Sequence, residues 1–449
     1  VRVAEEVIHS PVGHLNLSTT HEWTSPRNLL SITVLGMGAG GALAHGDIGS
    51  SDINQQNTDW HAAPSVVTGL MTNLRRALER FRARHEAYLD AIDVADLERR
   101  LGTMDAGADF FGGGEPPSGA SLAAWETVSR STELHDLAFE GRSLYDAFFP
   151  TGSELRDWIG ELQPHDRLDI NLESRAGAAF VPHVPWGLMY RMDLPASGEP
   201  IDPYGFLGLS LRLGYSAHRI SVSSKALGRL ESVSRAFLLY WGDQPTDPTA
   251  VEARWQRDRW AAVPNQVVVP GDADGGQPKK RLMSLLRDPA PGPIRLLYFY
   301  CQCKAEQGND PELRFANNTQ PDNVVRRPDL GTADLAEKPL VFANACTTSA
   351  ADPFMSNELE AGFFRRKARA YLGTESKVPI TLASRFAAVF FHYFDRHASD
   401  SPMAAGEAVH QARQFLWRHY RNVGGLFYTY VNQYELYMAD DDEVRTLKP

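Results

Sequence analysis

The sequence predicts an α/β protein built on a mostly parallel sheet with helices on both faces. From Phe237 onward, short apolar runs alternate with helical patterns, the sequence rhythm of a wound sheet. The runs are nearly continuous in apolar residues, as strands covered on both sides are. The 449 residues are 43 % hydrophobic and 22 % charged, an ordinary globular balance.

In chain order, residues 1–130 are uneven. They hold a short alternating start over Val1–Leu17, an apolar run at Leu29–Leu35 and a glycine-rich stretch, Gly36–Gly49, read as a loop. Leu74, Ala77, Leu78 and Phe81 at helical spacing predict one helix from Ser65 to about Leu101. Gly112–Gly119, with its two prolines and four glycines, is expected to be a surface loop. Ala236–Trp241, Gln266–Val269, Ile294–Cys301, Leu340–Ala345 and Ala370–Leu372 read as buried strands. Helical patterns lie between and after them at Val251–Ala262, Lys279–Leu286, Asn357–Arg366 and Leu382–Arg396. Neither an internal repeat nor a low-complexity tract stands out. Two parts are expected, 1–230 as a flanking α/β part and 231–449 as the part that holds the chemistry.

Composition excludes some function classes. A net charge of −11 argues against general nucleic-acid binding, which needs a basic face to neutralise phosphates. The short run Arg365-Arg366-Lys367 is read as a solvated helix face. No stretch reaches the ~18–20 apolar residues of a membrane span, so no membrane partner is expected. The chain starts at Val1, without Met or a basic-then-apolar leader, and is expected to begin inside a longer protein, so an upstream domain or lost leader stays open. Three clustered cysteines, Cys301, Cys303 and Cys346, make no disulfide framework and suit a reducing cytoplasm.

Three motifs invite chemistry. Gly36-Met37-Gly38-Ala39-Gly40-Gly41 has the glycine spacing of a dinucleotide loop. A breaker follows hardly one turn later, at Gly46-Asp47 and Gly49-Ser50-Ser51, so no helix opens on it and no cofactor is expected. Cys301, Cys303 and Cys346 supply three thiolates, but zinc needs a fourth ligand and no histidine occurs between His218 and His392, so no metal is expected. Cys346 ends the apolar strand Leu340–Ala345 and precedes Thr347-Thr348-Ser349. A thiol at the carboxyl end of a parallel strand is where such sheets keep their chemistry, though a satisfied core thiol fits the same residues.

These residues resemble a known family. Cys346 in LVFANAC resembles the nucleophile motif of CHAT domains, the caspase- and separase-related cysteine peptidases of bacteria. Leu296–Ala305 (LLYFYCQCKA) resembles the family's other signature strand, which ordinarily ends in Cys-His-Gly. Ser10–Gly13, Gly141–Phe149, Asp169–Leu172 with the second strand of a pair at Val184–Met189, Ala368–Ser376 and Gly406–Arg413 resemble further family segments in order. The resemblance implies a caspase-like fold and a Cys346 thiolate that attacks a peptide carbonyl, with backbone N–H groups near residue 346 receiving the oxyanion. It also implies a protein or peptide substrate, an upstream sensor or activator, and a role in regulated proteolysis or bacterial defence. The departure is Gln302, which stands where the family has the general-base histidine. An amide does not titrate near neutrality and cannot take the thiol proton. The chain is therefore either an inactivated peptidase or a pseudoenzyme that binds a peptide in the same cleft. Asp352, Glu358 and Glu360 follow the nucleophile and suit a basic substrate residue, although acids in a first helical turn also complement the helix dipole.

Overall fold

The computed structural model describes residues 15–19, 29–36, 43–50, 53–62, 64–103, 115–174, 184–216, 227, 233–240, 246–261, 263, 266–269, 277–287, 294–304, 312–316, 320–330, 335, 338–345, 358–395, 403–433 and 435–438. The buried apolar runs of the carboxyl-terminal half become strands β7 (Ser234–Leu239), β8 (Gln266–Val269), β9 (Ile294–Tyr300), β13 (Leu340–Asn344) and β14 (Ala370–Thr374). Every residue of β7, β13 and β14 is buried, the outcome expected of runs without polar alternation. Together with β15 (Tyr428–Val431) they form a six-stranded sheet in the order β15-β14-β13-β9-β7-β8. All neighbours are parallel except the edge pair β14–β15.

Aromatic side chains show that both faces are covered. Phe237, Tyr298 and Phe342 meet Phe391 of the helix Ile380–Phe394 on one face. Phe299 and Tyr371 meet Phe363 of the helix Glu358–Arg365 on the other. Residues next to one another along β9 thus serve opposite layers, as pleating requires. The chain winds from β7 outward to β8, then returns past β7 to β9. The strand order therefore reverses between β7 and β9, and the crevice at the carboxyl ends beside such a reversal is where wound sheets bind ligands.

A second six-stranded sheet comes from the amino-terminal half: β1 (Leu15–Thr19), β2 (Leu29–Gly36), β3 (Leu43–Ser50), β4 (Ile53–Ala62), β5 (Arg167–Ser174) and β6 (Arg212–Ser216), in the order β4-β3-β1-β2-β5-β6. Its terminal strand β6 meets β15, where the Asn432 N–H donates to the Tyr215 carbonyl at 2.6 Å and Ser216 Oγ donates to Asn432 Oδ1 at 3.1 Å. The helix Ala405–Tyr420 packs on both β6 and the helix Ile380–Phe394. After β9 the chain makes a small antiparallel ribbon of β10 (Gln302–Lys304), β11 (Glu312–Arg314) and β12 (Val324–Arg326).

Three expectations need correction. Leu43–Ser50, which overlaps the stretch Gly36–Gly49 read as a glycine-rich loop, is β3, paired antiparallel with β4 and parallel with β1. Backbone pairing to two neighbours does not require an apolar pattern, so no periodicity marks this strand; Met37–Ala42 lies outside the described residues. The predicted single helix over 65–101 is broken into Pro64–Arg84, Glu86–Leu89 and Val94–Thr103. At the second break, which has no Gly or Pro, Asp93 Oδ1 accepts the Asp96 N–H at 2.9 Å and Asp90 Oδ1 accepts the Leu382 N–H at 3.0 Å, so two acids turn the chain there. Val184–Met189 is not a strand but contains one 3₁₀ turn, Trp186–Leu188, started by Pro185, which cannot donate to a ladder. Glu115–Ser118 forms the expected exposed connection, and Ser118 caps the next helix, Gly119–Ser129. Gly112–Gly114 and Ser10–Gly13 lie outside the described residues.

Candidate functional site

The register of the sheet organises the site. β9 and β13 are adjacent and parallel, with Tyr300 opposite Asn344 as their last pair. Gln302 is two residues beyond Tyr300, and position 346 is two residues beyond Asn344 in the chain. Cys346 and Asp352 lie outside the described residues. Glu358 is the first residue of the helix Glu358–Arg365, and Glu360 on its first turn is buried.

Gln302 opens β10 and is exposed, directly opposite Arg314 of β11. Arg314 is held by Glu312 through Nε at 3.0 Å and Nη2 at 2.6 Å, and Arg326 of β12 reaches the other oxygen of the same carboxylate at 2.7 Å. Burial pushes the Glu312 carboxyl up, but the hydrogen bonds and charges of the two arginines outweigh it and leave the group below its ordinary value. A positive side chain thus stands in register with position 302.

Beneath the end of β13, Asn344 is buried and fully engaged. Its amide nitrogen donates to the Tyr298 hydroxyl at 3.0 Å and to the Ala383 carbonyl at 2.7 Å, while its oxygen accepts from the Tyr428 hydroxyl at 2.8 Å. Three elements, β9, the helix Ile380–Phe394 and β15, therefore converge on the residue before Ala345. Tyr428 is itself stacked on Phe386 at 3.6 Å. Thr374, at the end of β14, donates its hydroxyl to the Ala345 carbonyl at 2.5 Å. Burial holds the Tyr298 and Tyr300 hydroxyls far above their ordinary range, so both remain protonated donors and neither is a base at neutral pH.

Just past β14, Glu375 is 1 % exposed. It takes Arg75 from the helix Pro64–Arg84 at 3.2 Å and the Thr429 hydroxyl at 2.5 Å, which ties the amino-terminal half to this end of the sheet. Arg75 and Tyr428 carry no signal in the sequence, and Thr374 falls within the Ala368–Ser376 segment without being singled out there. Thr374-Glu375 directly after an apolar strand was the one local signal, since polar residues at a strand's carboxyl end commonly serve a site. Among the described residues no group of three or more His, Cys, Asp or Glu side chains is arranged to hold a metal ion, and no helix is long and apolar enough to cross a membrane.

No protein-family model matches the sequence. A probable protease of Vitiosangium sp. (strain GDMCC 1.1324) is 32 % identical over 155 residues. That match covers 33 % of this chain and 19 % of the relative, so the chain corresponds to about a fifth of the relative's length. Among solved structures, the chain is similar to the Saccharomyces cerevisiae separase–securin complex, with a TM-score of 0.38 and 9 % identity over 81 % of this chain and 22 % of that one. It is also similar to the Arg specific cysteine proteinase gingipain R, with a TM-score of 0.34 and 10 % identity over 67 % of this chain and 68 % of that one.

Proposed function

We propose that this chain is by ancestry a caspase-like cysteine endopeptidase of the CHAT type, with Cys346 as nucleophile and position 302 as that of the general base. The observation that carries the reading is the register that pairs Tyr300 with Asn344, because it gives residues 302 and 346 the same count beyond two neighbouring parallel strands. The sequence likeness to a probable protease supports it over a third of the chain. In this reading the Cys346 thiolate attacks the scissile carbonyl carbon, and backbone N–H groups near residue 346 receive the oxyanion. Collapse expels the amine, which needs a proton. A histidine at 302 would take the thiol proton and return it to the amine. Gln302 does neither, so the chain as it stands is a very poor peptidase.

Asp352 and Glu358 are proposed to favour a substrate with a basic side chain at the scissile bond, and an upstream sensor or activator protein to control access in a reducing cytoplasm. The exposed glutamine itself favours a second reading, a catalytically silent module that holds a protein or peptide in the same cleft.

A paired assay separates the two readings. The unmodified chain and Gln302→His are incubated with a peptide library, with and without the candidate activator. Restoring a base that titrates near ~6.5 is expected to raise cleavage by about 10²–10⁴, and Cys346→Ala to abolish the gain. Equal cleavage by both chains removes position 302 from the base role. A silent histidine variant with its activator bound leaves the binding module.

A further inference from the structure

We infer that Thr374 is a positioning residue for the oxyanion step, acting through the peptide unit between residues 345 and 346; the role named rests on the peptidase reading. The β13–β14 ladder pairs Leu340–Phe342 with Ala370–Leu372 and stops there. Beyond it, the Ala345 carbonyl is taken by the Thr374 hydroxyl at 2.5 Å, in a fully buried setting. A peptide unit is planar, so a fixed carbonyl also fixes the direction of the N–H on its far side. A hydrogen bond accepted by the carbonyl polarises the unit and makes that N–H a stronger donor. The N–H of that peptide unit belongs to residue 346, which the peptidase reading makes both the nucleophile and a donor to the oxyanion.

Thr374 is itself held on both sides of the strand end. The next residue, Glu375, donates its backbone N–H to the Phe427 carbonyl at 2.8 Å, and its carboxylate lies between Arg75 and the Thr429 hydroxyl. Asn344, one residue before Ala345, is pinned by three hydrogen bonds. The segment that leads into residue 346 therefore has its side chain at 344 and its carbonyl at 345 both fixed. A buried threonine needs an acceptor somewhere; what points to the site is that its acceptor is the last carbonyl before the nucleophile position.

Two reagents tell a positioning role from a merely structural one. 4-Nitrophenyl acetate acylates a cysteine through a tetrahedral oxyanion: the thiolate adds to the acetyl carbonyl, and collapse expels 4-nitrophenolate and leaves the S-acetyl thiol. The leaving group needs no proton, so the test does not depend on a base at 302. Iodoacetamide alkylates the same thiol by displacing iodide, with no oxyanion. Both rates are read at Cys346 by mass spectrometry of its peptide, with the buried Cys301 as the reporter of an intact fold. Thr374→Val is expected to slow acylation about three- to tenfold, the size of one lost hydrogen bond, while alkylation is unchanged and Thr374→Ser restores acylation. If Thr374→Val exposes Cys301, the smaller Thr374→Ala carries the same comparison. Acylation unchanged, or both rates falling together, overturns the inference. A Gln302→His chain that never cleaves would sink the peptidase reading alone, because neither reagent requires cleavage.

Discussion

At the scale of single residues, Asn344 bears most on the geometry of the candidate site. It joins two tyrosine hydroxyls and a helix carbonyl that have no access to water. Replacing it with alanine removes one partner from each of three buried groups. Each buried polar group left unmatched costs ~1–3 kcal/mol, although Tyr298 keeps its hydrogen bond to Gln256 at 2.5 Å. Asn344→Ala is therefore expected to lower unfolding free energy by about 2–4 kcal/mol, seen as a lower urea midpoint with an unchanged slope. None of this was legible in the sequence, where Asn344 was only the one polar letter of the apolar run Leu340–Ala345. Gln302 was legible, because a missing histidine is a fact of sequence.

At the scale of elements, what could be read depended on how each strand is buried. β7, β8, β9, β13 and β14 were read to within two residues at each end, because strands covered on both faces must be apolar throughout. β3 was lost because glycine, histidine and aspartate fill it and neighbouring backbones pair with it regardless. The helix break at Asp90 was lost because a partner distant in sequence, the Leu382 N–H, engages its side chain.

Helix Thr132–Phe148 gives a case where local and tertiary terms oppose each other. A Cβ on Gly141 would come within 2.4 Å of the Leu188 carbonyl oxygen, the backbone of the last residue of the 3₁₀ turn Trp186–Leu188. Helix propensity alone favours alanine there by ~1 kcal/mol. The obstacle is backbone and cannot swing aside, so Gly141→Ala is expected to destabilise by about 1–3 kcal/mol. A thermal midpoint that rises would show that the helix can move off the turn.

At the scale of the whole molecule, the two halves are tied by groups that respond to acid. His165, just before β5, meets His410 of the helix Ala405–Tyr420 at 2.9 Å, and Arg418 reaches the other side of His165 at 3.2 Å. Arg212 of β6 is nearby, paired with Glu407 at 3.2 Å, and Arg413 lies along the same helix. Burial first, and then the charges of His165, Arg413, Arg212 and Arg418, hold the His410 imidazole well below its ordinary 6.5. The unfolded chain therefore binds a proton near pH 6.5 that the folded chain refuses. Stability is complete above that pH and falls as pH drops below it, by up to about 1.4 kcal/mol per unit for this one group. Urea unfolding between pH 7.5 and 5 is expected to show the loss, and His410→Gln to flatten it. An unchanged slope in the variant would assign the acid sensitivity to His85 or His419, which burial also holds low.

The meeting of β6 with β15 has a consequence beyond connecting the halves. Each is the outermost strand of its own sheet, and an outermost strand offers unpaired backbone groups to any passing chain. Here each shields the other, through Tyr215 and Asn432. Cleavage between the halves would therefore bare two strand edges at once, each a template for pairing with another chain.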